Sequence, residues 1–201
     1  MLKDPASKVL PELSFDDVQA WQAWLERHDA DAGGVWMRIA KKEAGVASVT
    51  HAEALDVAIC HGWIDGLKKS AGEHFWLQKW TPRGKRSIWS KVNRAKAEAL
   101  IAAGRMKPAG LAEVERARGD GRWDAAYDSW SAATVPDDLQ AALDANPVAK
   151  AFFATLSSQN RYAILFRTHT AKKADTRARR IAQFVDMLAR GETLHPQGVK
   201  K

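Results

Sequence analysis

The 201-residue sequence holds a single cysteine, Cys60, so no internal disulfide can form. That fits a reducing compartment and leaves folding to rest on a packed core rather than on cross-links. No stretch approaches the roughly 20 apolar residues of a membrane span, and the opening MLKDPASKVLPELSF lacks the apolar centre of a secretory signal. A cytoplasmic protein without a membrane span is therefore expected. The short motifs that announce a reaction are missing too: there is no Gly-rich loop spaced for a diphosphate, no H-E-x-x-H, no cysteine pair and no G-x-S-x-G. His51, His61 and His74 share one region without carboxylates or thiolates at ligand spacing, so no metal and no cofactor is expected.

Acidic residues are scarce in two stretches. From Lys79 to Lys107 nine cations face Glu98 alone, and from Arg161 to Arg190 eight cations face Asp175 and Asp186, within a net charge of +7. Segregation of this kind points to an anionic partner, although solvated helix faces give the same counts. A hydrophobic content of 46% with 27% charged residues is that of an ordinary globular protein. Nine tryptophans are an excess, suited either to core packing or to a cleft that stacks against planar ligands.

Val18, Trp21 and Leu25 recur at helical spacing, with Ser14 and Asp17 in capping-box relation, and predict a first helix from Phe15 to His28. After a glycine pair, Val35, Met37 and Ile39 alternate with Trp36 and Arg38 as a half-buried strand does. Thr50 and Glu53 form a second capping box ahead of Ala54, Leu55, Ala58 and Ile59, and Gly62 can end that helix in a left-handed conformation. Trp63-Ile64 and HFWLQKW read as an antiparallel pair, with Asp65-Gly66 and the polar residues after them as the turn. TPRGKRS reads as a loop, Ser87 or Ser90 as the cap of a helix that Gly104 stops, and Pro108 as the start of a shorter one. Asp124 to Pro136 reads as a connection. Helices then follow over 137–145, over 147–156 behind Asn146, and as a pair from Ser158 and Thr170 to Gly191. The fold class expected is α+β: a small antiparallel sheet packed with helices over 1–135, followed by an all-helical C-terminal module over 136–201.

Candidate chemistry gathers in HGWIDG, residues 61–66, and WTPRGKRSIWSKVN, residues 80–93. A cation-rich loop that runs into a helix N-terminus suits an anion: Arg83 and Arg86 would grip it, Ser87, Ser90 and Asn93 would donate to it, and Trp63 and Trp89 would wall it. His61, at a helix C-terminus, is either an anion contact or a capping residue, and Asp65 is either a turn former or a partner of Arg83 or Arg86. A second possibility is nucleic acid: Lys173, Arg177 and Arg180 recur at three- and four-residue intervals opposite an apolar stripe, as a phosphate-tracking face or a solvated one would. A third is a hydrolase or transferase that uses His61 or Asp65, but no nucleophile and base can be paired, so enzyme status is not assigned.

GVWMRIAKK, HGWIDG, WTPRGKRSIWSKVN, AAGRMKPAGL, DGRW and AKKADTRARRI, in this order and spacing from Phe15 to Gly191, resemble the YdeI/OmpD-associated, or bacteriocin-protection, proteins. The resemblance implies a helical module over about Pro136 to Gly191. Ahead of it, the motif positions are Trp63, Asp65, Gly66, Pro82, Arg83, Ser87, Trp89, Ser90 and Asn93, and no catalytic assignment comes with them. It also implies a stress-protection role linked by name to bacteriocins and an outer-membrane porin. The leading expectation is a cytoplasmic protein of that kind with a small phosphate- or carboxylate-bearing ligand at these residues, His61 and Arg86 included.

Overall fold

The computed structural model describes residues 9–28, 33–128 and 133–197, so the expectations for the opening segment and the 124–136 connection fall partly outside them, at 1–8 and 129–132. The chain divides into two compact units, Met1–Ala126 and Tyr127–Lys201. The boundary expected from sequence lay at 135/136.

In the first unit one sheet has the strand order β1-β2-β4-β3, formed by β1 (Glu12–Ser14), β2 (Val35–Ala40), β3 (Trp63–Ser70) and β4 (Phe75–Pro82). β4 pairs antiparallel with both β2 and β3, and β1 adds one parallel pairing, Leu13 opposite Met37. The alternation in β2 sends Val35, Met37 and Ile39 into the core, where they share a face with Trp80, Gln78 and Trp76 of β4. Against that face lies α1 (Val18–His28), whose Trp21 is fully buried, 6.2 Å from Trp63 and 5.9 Å from Trp80 between ring centroids. The Trp21 indole N–H donates to the Ala54 carbonyl at 3.1 Å, which satisfies the one polar atom such burial would strand.

Three local expectations are corrected. Ser14 belongs to β1, and the side chain at the start of α1 that accepts a backbone N–H is Asp17, from Ala20 at 2.8 Å. Asp65 and Gly66 lie inside β3 rather than in the turn, which falls over 71–74. The pairing slips between Asp65 and Lys68, and the buried Gln78 amide donates to the Gly66 and Leu67 carbonyls at 3.0 and 3.3 Å. A bulge whose freed acceptors are met by a side chain needs no chain reversal, so the local Asp-Gly signal yields to tertiary hydrogen bonding. Thr81 and Pro82 close β4 instead of opening a loop, opposite Ile64 and Trp63.

The capping box at α2 (His51–Cys60) forms in both directions, Glu53 N–H to the Thr50 hydroxyl and Thr50 N–H to the Glu53 carboxylate, and Gly62 takes the left-handed φ of 75°. Two further helices follow, α3 (Lys91–Ala102) and α4 (Pro108–Gly119). Gly110 lets α4 press on the end of α2, since a Cβ there would stand 2.2 Å from the Cys60 carbonyl oxygen.

The second unit is helical: α5 (Asp137–Asp144), α6 (Pro147–Thr155), α7 (Ser158–His169) and α8 (Ala174–Ala189). Asn146 and Ser157 cap α6 and α7 through their side-chain oxygens. Leu139, Leu143, Phe153, Ile164, Leu165, Ile181, Phe184 and Leu188 form its core. The buried Asn160 holds the segment after α8, accepting from His195 N–H at 2.8 Å and donating to the His195 carbonyl at 3.0 Å.

Candidate functional site

HGWIDG and WTPRGKRSIWSKVN are joined by the sheet. Trp63 sits opposite Pro82, and the Arg83 N–H donates to the Gly62 carbonyl at 2.9 Å. The geometry then divides the residues expected to bind a ligand. Trp63 and Trp89 are buried, Trp63 among Trp21 and Trp24 and Trp89 edge-on to Trp123 at 4.9 Å. Arg83 is also buried: its guanidinium carbon lies 3.5 Å from the centre of the Trp89 ring, and Nη1 donates to the Ile88 carbonyl at 3.3 Å. A guanidinium stacked in this way is stabilised by the ring quadrupole and braces the loop from within.

The hydroxyls serve the backbone. Ser87 accepts the Gly84 N–H at 2.9 Å, and Ser90 caps α3 by accepting the Asn93 N–H at 3.1 Å. Arg122 donates to the Ser87 carbonyl at 2.6 Å, and Arg116 to the Arg83 carbonyl at 3.3 Å. The loop is thus cross-linked along its length, with Lys85 and Arg86 exposed on its turn. His61 caps the end of α2 and borders a small pocket of about 290 Å³ with Gln22, Arg105 and Lys107. Cys60 shares that pocket, and burial, the largest influence on it, pushes its thiol up from its ordinary value.

Asp65 leaves this group. Its carboxylate lies 3.4 Å from Nε2 of His51, and the His51 ring stacks on Trp80 at 5.5 Å and tilts against Trp76 at 5.9 Å. Beside them is a slot that sequence spacing did not single out, about 420 Å³ in volume and lined by Lys41, Lys68, Lys69, Ser70 and Trp76. Ser70 pairs with Trp76 and Lys68 with Gln78, so both stand on the face of the sheet that carries the indole. Lys41 reaches in from beyond β2, held by its N–H to the His74 carbonyl and by Nζ to the Gly72 carbonyl, at 2.8 and 3.1 Å. Lys69 flanks the slot from the edge strand, its ammonium 4.4 Å from the Trp36 ring centre. Lys41 and Lys68 thus border the slot beside one half-buried indole, with no carboxylate among the lining residues, while the Lys69 ammonium lies over Trp36 on the opposite face of the sheet. The alternation of β3 and β4 carried that signal, but only the bulge decides which lysine faces which side.

In the second unit two of the cations proposed for nucleic acid are tied into the helices. Arg177 makes a two-pronged ion pair with Asp138 of α5, Nε to Oδ2 at 2.5 Å and Nη2 to Oδ1 at 2.8 Å, and donates to the Thr168 carbonyl at 2.8 Å. Arg180 donates to the Arg167 carbonyl at 2.7 Å, while Lys173 is exposed at the N-terminal cap of α8. The Arg177 guanidinium holds the Asp138 carboxyl below its ordinary value, chiefly by hydrogen bonding.

Two family models match the chain. One, described as a domain of unknown function (DUF8412), spans residues 13–113, and the other, described as bacteriocin-protection, YdeI or OmpD-associated, spans residues 132–191. GVWMRIAKK, HGWIDG and WTPRGKRSIWSKVN fall inside the first match, AKKADTRARRI inside the second, and DGRW between them. No curated protein and no solved structure matches the chain.

Proposed function

The chain belongs to the family of the DUF8412 domain, joined here to a bacteriocin-protection, YdeI- or OmpD-associated module, and on that premise we propose that it is a stress-protection protein that binds a small anion on its tryptophan-rich unit. The ligand is a phosphate or carboxylate carried on a planar ring. One observation carries this: Lys41 and Lys68 line a slot with Trp76 and Ser70 without an acidic residue in the wall. Ammonium groups supply the charge, the Ser70 hydroxyl a donor, and the indole a stacking face, which divides recognition between Coulomb attraction and dispersion. The ligand-binding role expected of His61, Trp63, Asp65, Arg83, Arg86, Ser87, Trp89, Ser90 and Asn93 moves to this slot. Of the nine, Asp65 borders it through His51, and burial or backbone hydrogen bonding gives Trp63, Arg83, Ser87, Trp89 and Ser90 a framework role.

Fluorescence titration and thermal shift at low salt, with AMP, benzoate and inorganic phosphate as probes, test the proposal. AMP and benzoate should raise the melting temperature and quench indole emission, phosphate should act more weakly, and the response should fade as ionic strength screens the lysines. Lys41→Ala with Lys68→Ala should remove the response while leaving the far-ultraviolet circular dichroism unchanged. No response to any of the three probes, or one that persists in the double variant, overturns the proposal.

A further inference from the structure

We propose that the sheet face turned away from α1 binds single-stranded nucleic acid, with Trp36 and Phe75 as stacking platforms and Lys69, Lys79 and Arg38 as phosphate contacts. Helix α1 packs on the face that carries Val35, Met37, Ile39 and Trp80. The alternation that buries those residues sends Trp36, Arg38, Phe75, Leu77 and Lys79 to the other side. Lys69 of the edge strand joins them opposite Leu77, and Glu12 of β1 joins them opposite Trp36. This side stays open: Trp36, Arg38, Phe75 and Lys79 are half-buried and Lys69 and Glu12 are exposed, over an apolar floor that the buried Leu77 supplies. At the Trp36 end lies a cleft of about 720 Å³, within the range of about 300–1,000 Å³ in which ligand pockets fall, whose lining includes Leu10, Pro11, Trp36, Lys69 and Lys79. Phe75 pairs with Ala40, four residues along β2 from Trp36, so the two platforms stand about 13 Å apart and a strand that used both would run along β2.

Each ring has a cation beside it. The Lys69 ammonium lies 4.4 Å from the Trp36 ring centre, and the Arg38 guanidinium carbon lies 5.4 Å from that of Phe75. A nucleotide needs that combination, a flat face for the base and a positive charge for its phosphate. An ammonium at an exposed ring gains less from it than a stacked base does, so Lys69 can exchange the indole for a phosphate. Glu12 accepts from Nε and Nη2 of Arg38 at 3.2 and 2.7 Å, and the other strand carboxylate, Asp65, stands on the opposite face beside His51. Positive charge therefore exceeds negative on the open face, as a polyanion requires. A duplex would reach the cations but keep its bases stacked within itself, and an acidic peptide would leave the rings unused. The slot beside Trp76 lies on the other face of the sheet, so this inference does not rest on it.

Fluorescence anisotropy of the full chain with a labelled oligothymidylate of about 12 nucleotides tests this, with the matching duplex and oligoglutamate as competitors. The single strand should bind saturably, and log K should fall against log salt with a slope of about −1.4 to −2, the value for two or three phosphates neutralised. Trp36→Ala should weaken binding at least about fivefold, whereas Trp36→Phe should largely restore it, because stacking needs a ring. Lys69→Ala with Lys79→Ala should remove most of the salt slope, with far-ultraviolet circular dichroism retained. Lys41→Ala with Lys68→Ala, which disables the slot on the opposite face, should leave the loss on Trp36→Ala intact, so the two proposals fail separately. If Trp36→Ala does not fold, the preference for single strand over duplex and the salt slope of the lysine pair decide. No saturable binding, a duplex that competes as well as unlabelled single strand, or equal displacement by oligoglutamate overturns the assignment.

Discussion

Trp21, Trp63, Trp80 and Trp89 are fully buried in the first unit, whereas the second packs Leu139, Leu143, Phe153, Ile164 and Leu188 and has no tryptophan among its described residues. The first unit also buries Arg83 on an indole and Gln78 beneath a bulge. The helical unit leaves three of its aromatic rings, Tyr127, Tyr162 and Phe166, bordering a cavity. Abundance of an aromatic type is thus a poor guide to where it meets a ligand. In the tryptophan-rich unit four indoles are fully buried framework while Trp76 and Trp36 line surface pockets, and the helical unit buries Phe153 and Phe184 but places Tyr127, Tyr162 and Phe166 at a cavity. The difference follows from packing: a sheet face and the helices on it leave wide gaps that suit large flat side chains, and helices joined by short connections fill their seam with aliphatic residues.

The widest separation between the units should appear on truncating their cores. Trp63→Ala removes a fully buried indole from among Trp21 and Trp24 and should cost about 3–5 kcal/mol, against about 0.5–1.5 kcal/mol for Ile164→Val in the helical unit. Urea denaturation followed by far-ultraviolet circular dichroism measures both. Comparable costs would remove the distinction between an indole framework and an aliphatic one.

A smaller effect tests the backbone rather than the side chains. Helices α5 to α8 contain no glycine, whereas α4 has two, Gly110 against the Cys60 carbonyl and Gly119 with nothing within 4 Å of where a Cβ would stand. Alanine in an open helical position stabilises by about 0.5–1 kcal/mol, and Gly119→Ala should do so. Gly110→Ala should instead destabilise by about 1–3 kcal/mol, because α4 must move off α2 to admit the methyl group. Melting temperatures of the two variants should therefore shift in opposite directions, and a shared upward shift would show that α4 is not pressed against α2.

Much of the fold was legible because its signals are local. The Thr50–Glu53 box, the left-handed Gly62, the alternation of Val35, Met37 and Ile39, and the caps at Asn146 and Ser90 all need only neighbours in sequence. β1 was not legible, since three residues in parallel pairing carry no period of their own. The bulge after Asp65 was hidden because Gln78, whose amide stabilises it, lies twelve residues from Gly66 and points into the sheet's buried face. Distance in sequence also hid the slot, which draws Lys41, Lys68 and Trp76 from three separate segments. Charge counting found the cation-rich loop, yet it could not tell a guanidinium stacked on Trp89 from one that waits for a ligand.

The smallest effect separates the units by pH. In the first unit the carboxyls of Glu26, Glu53 and Asp120 are lowered chiefly by hydrogen bonds from Gln22, Thr50 and Arg122. In the second, Asp138 is lowered by an arginine that also donates to the Thr168 carbonyl, so its charge ties α5 to the start of α8 and the end of α7. Its folded value lies below the unfolded one of about 3.9, so the ionised form favours the folded state. The contribution is whole above that unfolded value and is lost as pH falls through the lowered folded one. Both side chains remain partly exposed, at 27% and 46%, and solvent screening limits the effect to about 0.5–1 kcal/mol. Asp138→Asn should therefore be less stable than the unaltered chain by that amount at pH 7, and the difference should close in strong acid, where the carboxyl is protonated in both states. Urea titrations at the two pH values measure it. An equal deficit at both would mean that the amide disturbs packing at α5 and that the ion pair itself adds nothing.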